Sequence, residues 1–386
     1  SFLAFFAPAA VLSAVSPTIV KLQLRDLSVT GRVVGRLSAV GTAGAICGTF
    51  LAGFVLIEVA PTTATVVVLG GLFVVAGVVL WAWLSTDRAS TVVVALVLAL
   101  VVAGASATAG DVCDTETKYH CVRVVPDEER SGGRLLLLDA LRHSYVDLDD
   151  PAHLEFRYAK VFADVIHDVA PAGRVDAVHV GGGGFTLPRY LSAVRPGSSN
   201  VVLEIDPGLV EVARERLGLR PGPALQVRTG DARLLVDDLP GAAHDLVLGD
   251  AFGGVAVPWH LTTVEFVEAV AGVLRPGGAY ILNVIDRPPL RFARAEVATL
   301  QRVFEHVAVI APPALVDGEQ GGNFVLVGSD TAIDPEGITA AVQARAGEER
   351  VVTGEAASAF AGDAPVLTDD RAPVDQWLAR ARRSRA

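Results

Sequence analysis

The stretch Val180-Gly181-Gly182-Gly183-Gly184-Phe185, followed by Val201-Val202-Leu203-Glu204-Ile205-Asp206, decides the fold. Residues 177–180 read as a strand that runs into a turn without side chains, where backbone N–H groups can come close to a ligand. A helix beginning near Leu187 and a second strand over 201–205 complete a parallel crossover that ends in an acid. Glu204 stands about 20 residues past the glycines, from where a carboxylate takes both hydroxyls of a ribose through its two oxygens. The pattern identifies a nucleoside pocket and leaves the reaction open.

Working outward, strands are expected over 224–228, 245–248 and 279–284, with helices between them and 307–311 and 323–327 as a closing pair. Asp206-Pro207 is a helix start, with Asp as N-cap and Pro in the first turn. Leu274-Arg275-Pro276-Gly277-Gly278 reads as a helix stop followed by a turn into a strand. The series is a doubly wound α/β sheet over 151–386, whose ligands sit beyond the carboxyl ends of the strands. Upstream, 152–169 has helical spacing, with Leu154, Tyr158, Val161, Phe162 and Val165 on one face, and Pro171-Ala172-Gly173 stops it. Residues 119–125, 134–139 and 144–148 are strand-like, with Ser131-Gly132-Gly133 as a hairpin turn, so 110–150 reads as a small antiparallel β subdomain. No internal repeat is evident, and the Arg-rich end from Arg380 reads as solvated.

The charge is unevenly distributed. The 386 residues carry a net charge of −11, yet only five basic and three acidic residues precede Ala109. An acidic remainder without basic runs argues against a nucleic-acid groove. The 51% hydrophobic content and mean hydropathy of +0.46 arise from apolar spans at 2–20, 37–57, 63–84 and 91–107, each near the roughly 20 residues needed to cross a bilayer. Residues 1–109 are therefore expected to form about four transmembrane helices, the first reading as truncated. A cleavable signal peptide fits poorly, because Ser1 opens directly into apolar sequence without a basic region. Gly41, Gly44, Gly48 and Gly53 on the second span allow close helix approach.

Sidedness is pulled both ways. Four basic residues between Lys21 and Arg36 place that loop in the cytoplasm, and three further crossings put the rest outside, where Cys113 and Cys121 can pair. A pocket for a cytosolic nucleotide argues for a cytoplasmic soluble part, which requires that one span, the short fourth, does not fully cross. The expectation is a multi-pass cell-membrane protein with its soluble part on the cytoplasmic side.

Four strand ends converge on one crevice: the glycine turn, Glu204, Gly230-Asp231-Ala232 and Asp250. Glu204 is expected on ribose hydroxyls and Asp231 beside an adenine amino group, although each acid alone also fits a helix N-cap or a solvated loop. Here the chain resembles the spermidine synthase family of aminopropyltransferases, especially members with a membrane-spanning N-terminal half. The resemblance covers about residues 115–326 and rests on Tyr119-His120, Leu138-Asp139-Ala140, the four glycines, Glu204-Ile205-Asp206, Gly230-Asp231-Ala232, and Asp250 followed by Pro258 and Leu261. It implies a Rossmann-like domain of the class I methyltransferase type binding decarboxylated S-adenosylmethionine, a small-molecule amine as acceptor, no metal, and a homo-oligomer. It also implies Asp250 as catalytic base, with His120, Gly181, Gly182, Gly183, Glu204, Asp231, Ala232 and Pro258 around the cofactor. Tyr158, Gly184 and Gly253 would then line the substrate pocket.

The departures from the family pattern fall on the amine side. Gly184 stands where the family carries an acid, Asp250-Ala251-Phe252-Gly253 lacks the second acid of the acceptor loop, Tyr158-Ala159-Lys160 lacks a His, and His120 replaces a Gln. A dication would lose most of its counter-charges, and an uncompensated buried charge is costly. His143 reads either as a substitute base or as a hydrogen-bonded loop histidine, and His260 with Trp259 as the lining of a different acceptor pocket. The cluster Leu367-Thr368-Asp369-Asp370-Arg371-Ala372-Pro373 either lends acids to the site or forms a docking turn. No His/Cys spacing suggests a metal. Two other readings stay open: a methyltransferase using S-adenosylmethionine itself, and a membrane protein whose soluble domain binds a nucleoside without catalysis.

Overall fold

The computed structural model describes residues 6, 13–15, 17–21, 30–56, 61–84, 113–170, 172–254 and 256–383. The chain divides into two compact units, Ser1–Ala109 and Gly110–Ala386. In the first, a helix over Thr30–Leu51 continues as a π-helical turn over Ala52–Leu56, and a second helix covers Thr62–Leu84. Thr30–Leu56 and Thr62–Trp83 are long and apolar enough to cross a membrane, and neither buries a residue in this unit. The expected second span thus begins seven residues early. The expected first span lies largely, and the fourth wholly, outside the described residues. A Cβ added at Gly41, Gly44, Gly48 or Gly53 would meet nothing within 4 Å, so no helix packs against that face among the described residues.

The second unit opens with a four-stranded antiparallel sheet, β1 (Thr115–Glu116), β2 (Cys121–Pro126), β3 (Gly133–Leu138) and β4 (Leu141–Asp147), in that order. A disulfide between Cys113 and Cys121 ties its first edge. Val122, Val124, Leu136, Leu138 and Val146 form one apolar cluster with Leu209, Val210 and Ala213 of the helix Pro207–Arg216. Thr117 Oγ1 donates to Asp206 Oδ2 at 2.5 Å, while Asp206 Oδ1 accepts from Gly208 N and caps that helix. The cap therefore also fixes the small sheet to the large one.

The large sheet contains β5 (Asp176–Val180), β6 (Ser199–Glu204), β7 (Leu225–Thr229), β8 (His244–Gly249), β9 (Leu274–Asp286), β10 (His306–Ala311), β11 (Gly322–Ser329) and β12 (Arg350–Thr353). Their order is β12-β10-β11-β9-β8-β5-β6-β7. Pairings from β7 through β9 are parallel, and those joining β9, β11, β10 and β12 are antiparallel. Strands β5, β6 and β8 are nearly continuous buried runs, as strands covered on both faces must be. Val178, Val180, Val247 and Val284 join Phe266, Val270 and Phe292 on one face. Ala177, Leu246, Leu248 and Ile281 join Val161, Phe162 and Leu191 on the other. The strand order reverses between β5 and β8, which is where an open α/β sheet leaves its ligand crevice.

Several boundaries differ from the sequence reading. The upstream helix starts at Arg157 rather than 152, so Leu154 is buried in the preceding loop. Strand β9 runs 13 residues from Leu274; pairing of His244 with Leu274 across a register shift draws the expected turn into the ladder. The C-terminal residues form a helix, Val374–Arg383, whose Trp377 and Leu378 pack against the core.

Candidate active site

Gly181 and Gly183 have φ of +93° and +50°, and a Cβ on Gly181 would lie 2.6 Å from the carbonyl oxygen of Asp250. The bare backbone is thus required where the loops after β5 and β8 touch. The N–H groups of this turn do not face a ligand, contrary to the sequence expectation. Gly181 N donates to Leu203 O, Gly182 N and Gly183 N donate to Glu204 Oε2 at 2.7 and 3.2 Å, and Gly184 N donates to Ser144 Oγ at 3.1 Å. With all four engaged, the turn offers no phosphate cradle, which excludes the pyrophosphate site that a glycine run otherwise suggests.

Glu204 Oε1 accepts from Asp206 N at 2.9 Å. Burial raises the Glu204 pKa, opposed by the three backbone hydrogen bonds. The carboxylate lines a cleft of about 90 Å³ together with His120, Gly181, Gly183, Asp231, Ala232, Asp250 and Pro258. Leu138, Leu203, Ile205, Leu209, Ala251, Phe252 and Leu261 supply its apolar wall, and His143, Gly230 and His260 also border it. An acid at one side, apolar walls and no anion cradle match the polarity of an adenosyl group better than that of a nucleoside phosphate. Gly182 lines a smaller void beside Tyr158 and Asp250.

Asp231 caps the short helix Ala232–Leu235 through Arg233 N, and the same oxygen lies 3.3 Å from His260 Nε2. His260 thus faces the cleft beside Asp231 and does not border the larger cavity, which corrects its assignment to an acceptor pocket. The 367–373 cluster is a docking turn: Asp369 accepts from Thr263 Oγ1 and Arg233 Nη2, both at 2.7 Å, and borders neither cavity.

Asp250, at the end of β8, is shared between the cleft and a second cavity of about 590 Å³. Oδ2 accepts from Tyr158 Oη at 2.9 Å and Oδ1 accepts from Asn283 Nδ2 at 3.0 Å. Asn283 Oδ1 in turn accepts from Asn323 Nδ2 at 3.0 Å, so β9 and β11 orient the carboxylate. Burial pushes the Asp250 pKa up to about 6, against the lowering effect of its two donors. Burial beside this carboxylate drives the Tyr158 phenol well above its ordinary value, which keeps it a donor.

Two expected pocket residues are displaced. Gly253 N donates to Ala256 O in a tight bridge and borders neither cavity, while its neighbours Phe252 and Gly254 line the larger one. Gly184 also lies outside both, because Ser144 fills the space in front of it: a Cβ at Gly184 would lie 2.7 Å from Ser144 Cβ. Sequence reasoning missed the cause. Leu136 pairs with Ser144 and Leu137 with Arg142, so His143 is an extra residue in β4, and such a bulge re-aims its side chain. His143 borders both cavities beside Asp250. Its Nδ1 lies 3.1 Å from Ser144 Oγ, and burial, with His120 adding repulsion, lowers its pKa to about 4. It is a neutral ring at neutral pH and a poor substitute base. Among the described residues no His, Cys, Asp and Glu group is arranged to hold a metal.

No protein-family model matches the chain. A polyamine aminopropyltransferase of Vibrio vulnificus is 30% identical over 156 residues, which are 40% of this chain and 50% of that protein. One of Chromobacterium violaceum is 28% identical over 141 residues, 36% of this chain and 53% of its own. The chain thus spans about half the length of these curated relatives. A crystal structure described as a probable spermidine synthase from Corynebacterium glutamicum superposes with a TM-score of 0.63 at 32% identity, covering 66% of this chain and 95% of that one.

Proposed function

Because the chain belongs to the spermidine synthase family, we propose that it is a membrane-anchored transferase moving an aminopropyl group from decarboxylated S-adenosylmethionine to an amine. The observation that carries this reading is the shared wall: one oriented carboxylate, Asp250, faces both the narrow cleft beside Glu204 and Asp231 and a separate cavity large enough for an acceptor. Bound in the cleft, the adenosyl sulfonium supplies an electrophilic carbon whose bond to sulfur breaks, with its electron pair going to sulfur, as the bond to nitrogen forms. Glu204 and Asp231 would hold the ribose and adenine sides, and Leu203, Ile205 and Leu261 the base.

The chain's own part is proton handling and alignment. An amine arrives protonated, so Asp250 must hold the ammonium and take a proton before the nitrogen lone pair is free. A carboxylate with pKa about 6 is ionised at neutral pH and still basic enough to share that proton. Tyr158 and Asn283 fix its two oxygens, and such alignment of reacting groups contributes much of the rate.

The test is release of methylthioadenosine by the purified full-length protein, given decarboxylated S-adenosylmethionine and a panel of amines. Release that is lost in Asp250→Asn supports the reading, and no release with any amine overturns it. A methyltransferase is the second reading, favoured by the scarcity of carboxylates around the larger cavity. Calorimetric preference for S-adenosylmethionine, with methyl transfer to an acceptor, would establish it instead. Nucleoside binding with no transfer from either sulfonium donor, and no difference between Asp250→Asn and the unmodified protein, would leave only the binding reading.

We also propose that the soluble unit faces the cytoplasm, where adenosyl donors are made, and that the protein self-associates. The Cys113–Cys121 disulfide, a bond typical of oxidising compartments, pulls against that orientation. Protease added to intact spheroplasts is expected to spare the soluble unit, and its digestion would reverse the assignment. Light scattering on the detergent-solubilised protein reads the oligomer.

A further inference from the structure

We infer that the acceptor cavity selects a primary amine on an apolar body with no second cationic group, such as an alkyl monoamine, and disfavours a diamine. This rests on the aminopropyl reading above and narrows its substrate class. Few charged side chains line the 590 Å³ cavity, and Glu349 and Arg157 among them are already paired. Asp250 is one of three carboxylates that line it, with Glu349 and Glu155. Glu349 is already faced by Arg345 Nη2 at 2.9 Å and Arg157 Nε at 3.8 Å. Glu155, exposed to solvent, has His153 Nε2 at 3.4 Å, a counter-charge only when that imidazole is protonated. Two arginines also line the cavity, Arg157 and Arg142, the latter 5.5 Å from the ring centre of Phe156 and with no carboxylate within 4 Å among the described residues.

Between these charged groups the wall is apolar. Phe252, Ile285, Ile310, Leu315 and Val325 line it, and its uncharged polar groups are the amides of Asn283 and Asn323, the Tyr158 hydroxyl and the His143 ring. An amine whose nitrogen reaches Asp250 lays its carbon chain along these side chains, where burial is favourable. A second ammonium on that chain would sit against aliphatic groups or approach two guanidiniums, and the carboxylate left to it, Glu155, is exposed to water that screens the pairing. The bulge at His143 completes the argument: the position flanking Asp250 is taken by a neutral ring hydrogen-bonded to Ser144, where an acid would supply a second counter-charge.

The experiment compares n-pentylamine with 1,5-diaminopentane, which match in length, using the full-length protein in detergent at pH 8. Two readouts are taken: kcat/KM for methylthioadenosine release, and calorimetric affinity of each amine for protein loaded with methylthioadenosine. The expected result is a preference of at least about 10-fold for the monoamine in both. Leu315→Glu and, separately, Ile285→Asp introduce a carboxylate in the apolar wall, and in either variant that folds the diamine gains relative to the monoamine. Equal or tighter binding of the diamine to the unmodified protein overturns the inference whether or not transfer occurs. Monoamine binding without methylthioadenosine release sustains the inference about the cavity and overturns the aminopropyl reading alone.

Discussion

Replacing Asp250 by Asn removes the proposed base and, at the same time, a charge that folding buries. Asp250 accepts one hydrogen bond from Tyr158 and one from Asn283; the amide keeps both contacts by accepting from Asn283 and donating to the Tyr158 oxygen. What changes is the ionisation. The Asp250 pKa rises from 3.8 to about 6 on folding, so the folded state holds the proton more tightly than the unfolded chain. Its stability is then highest at low pH and falls as pH rises from about 4 to about 6. At about 1.4 kcal/mol per unit, the ionised carboxylate costs the native state about 3 kcal/mol above pH 7. The group remains partly open to two cavities, and solvent relief brings this to about 2–3 kcal/mol. Asp250→Asn should therefore raise Tm at pH 8 by about 5 °C for a domain of this size. At pH 4.5, where the native carboxyl is mostly protonated, the gain should shrink to about a third, while kcat at pH 8 falls by about 10²- to 10⁴-fold. Scanning calorimetry of both proteins at the two pH values, with methylthioadenosine release beside it, measures all of this. An Asn variant less stable at pH 8, or equally displaced at both pH values, would refute the buried-carboxylate reasoning.

Other consequences follow from the same site. The pH profile of kcat/KM should rise tenfold per unit below about pH 6 and flatten above it, since Asp250 works ionised; a profile flat between pH 5 and 7 would remove Asp250 as the base. Glu204→Gln would turn an amide donor or a single acceptor toward three backbone N–H donors, costing about 1–3 kcal/mol and weakening methylthioadenosine binding by at least about 10-fold in calorimetry. Gly184→Asp, which restores an acid beside the turn, should destabilise by about 1–3 kcal/mol, because its Cβ meets Ser144 Cβ at 2.7 Å; thermal melts should show partial recovery in the double variant with Ser144→Gly.

The nucleoside half of the site was legible because it depends on residues placed directly after strands. Gly181, Glu204 and Asp250 each end or follow an apolar run and Asp231 follows the mixed strand β7, and the parallel order of β5 to β8 brings all four to the cleft. What the turn's N–H groups do was not legible, since their acceptors, the Glu204 carboxylate and the Ser144 hydroxyl, lie 22 and 40 residues away in sequence. The larger cavity was least legible of all. Ile285, Ile310, Leu315 and Val325 read as ordinary core positions, and their place on a cavity wall depends on the antiparallel pairing of β9, β11 and β10. The strand β12 escaped notice because Arg350-Val351-Val352-Thr353 is short and lacks alternation.

The loss of an acid at Gly184 and the bulge at His143 are one structural event seen from two elements. With regular pairing, β4 would alternate sides through residue 143; the extra residue instead brings Ser144 opposite Leu136 and its hydroxyl onto Gly184 N. The turn after β5 can accept that hydroxyl only while position 184 has no side chain. A carboxylate there and Ser144 here are mutually exclusive occupants of the same space. The small sheet, attached to the large one through Thr117 and Asp206, therefore controls what stands beside Asp250. On the aminopropyl reading, acceptor choice would be set by β4 as much as by the Rossmann-like sheet, and a single substitution on the glycine turn would not reverse it.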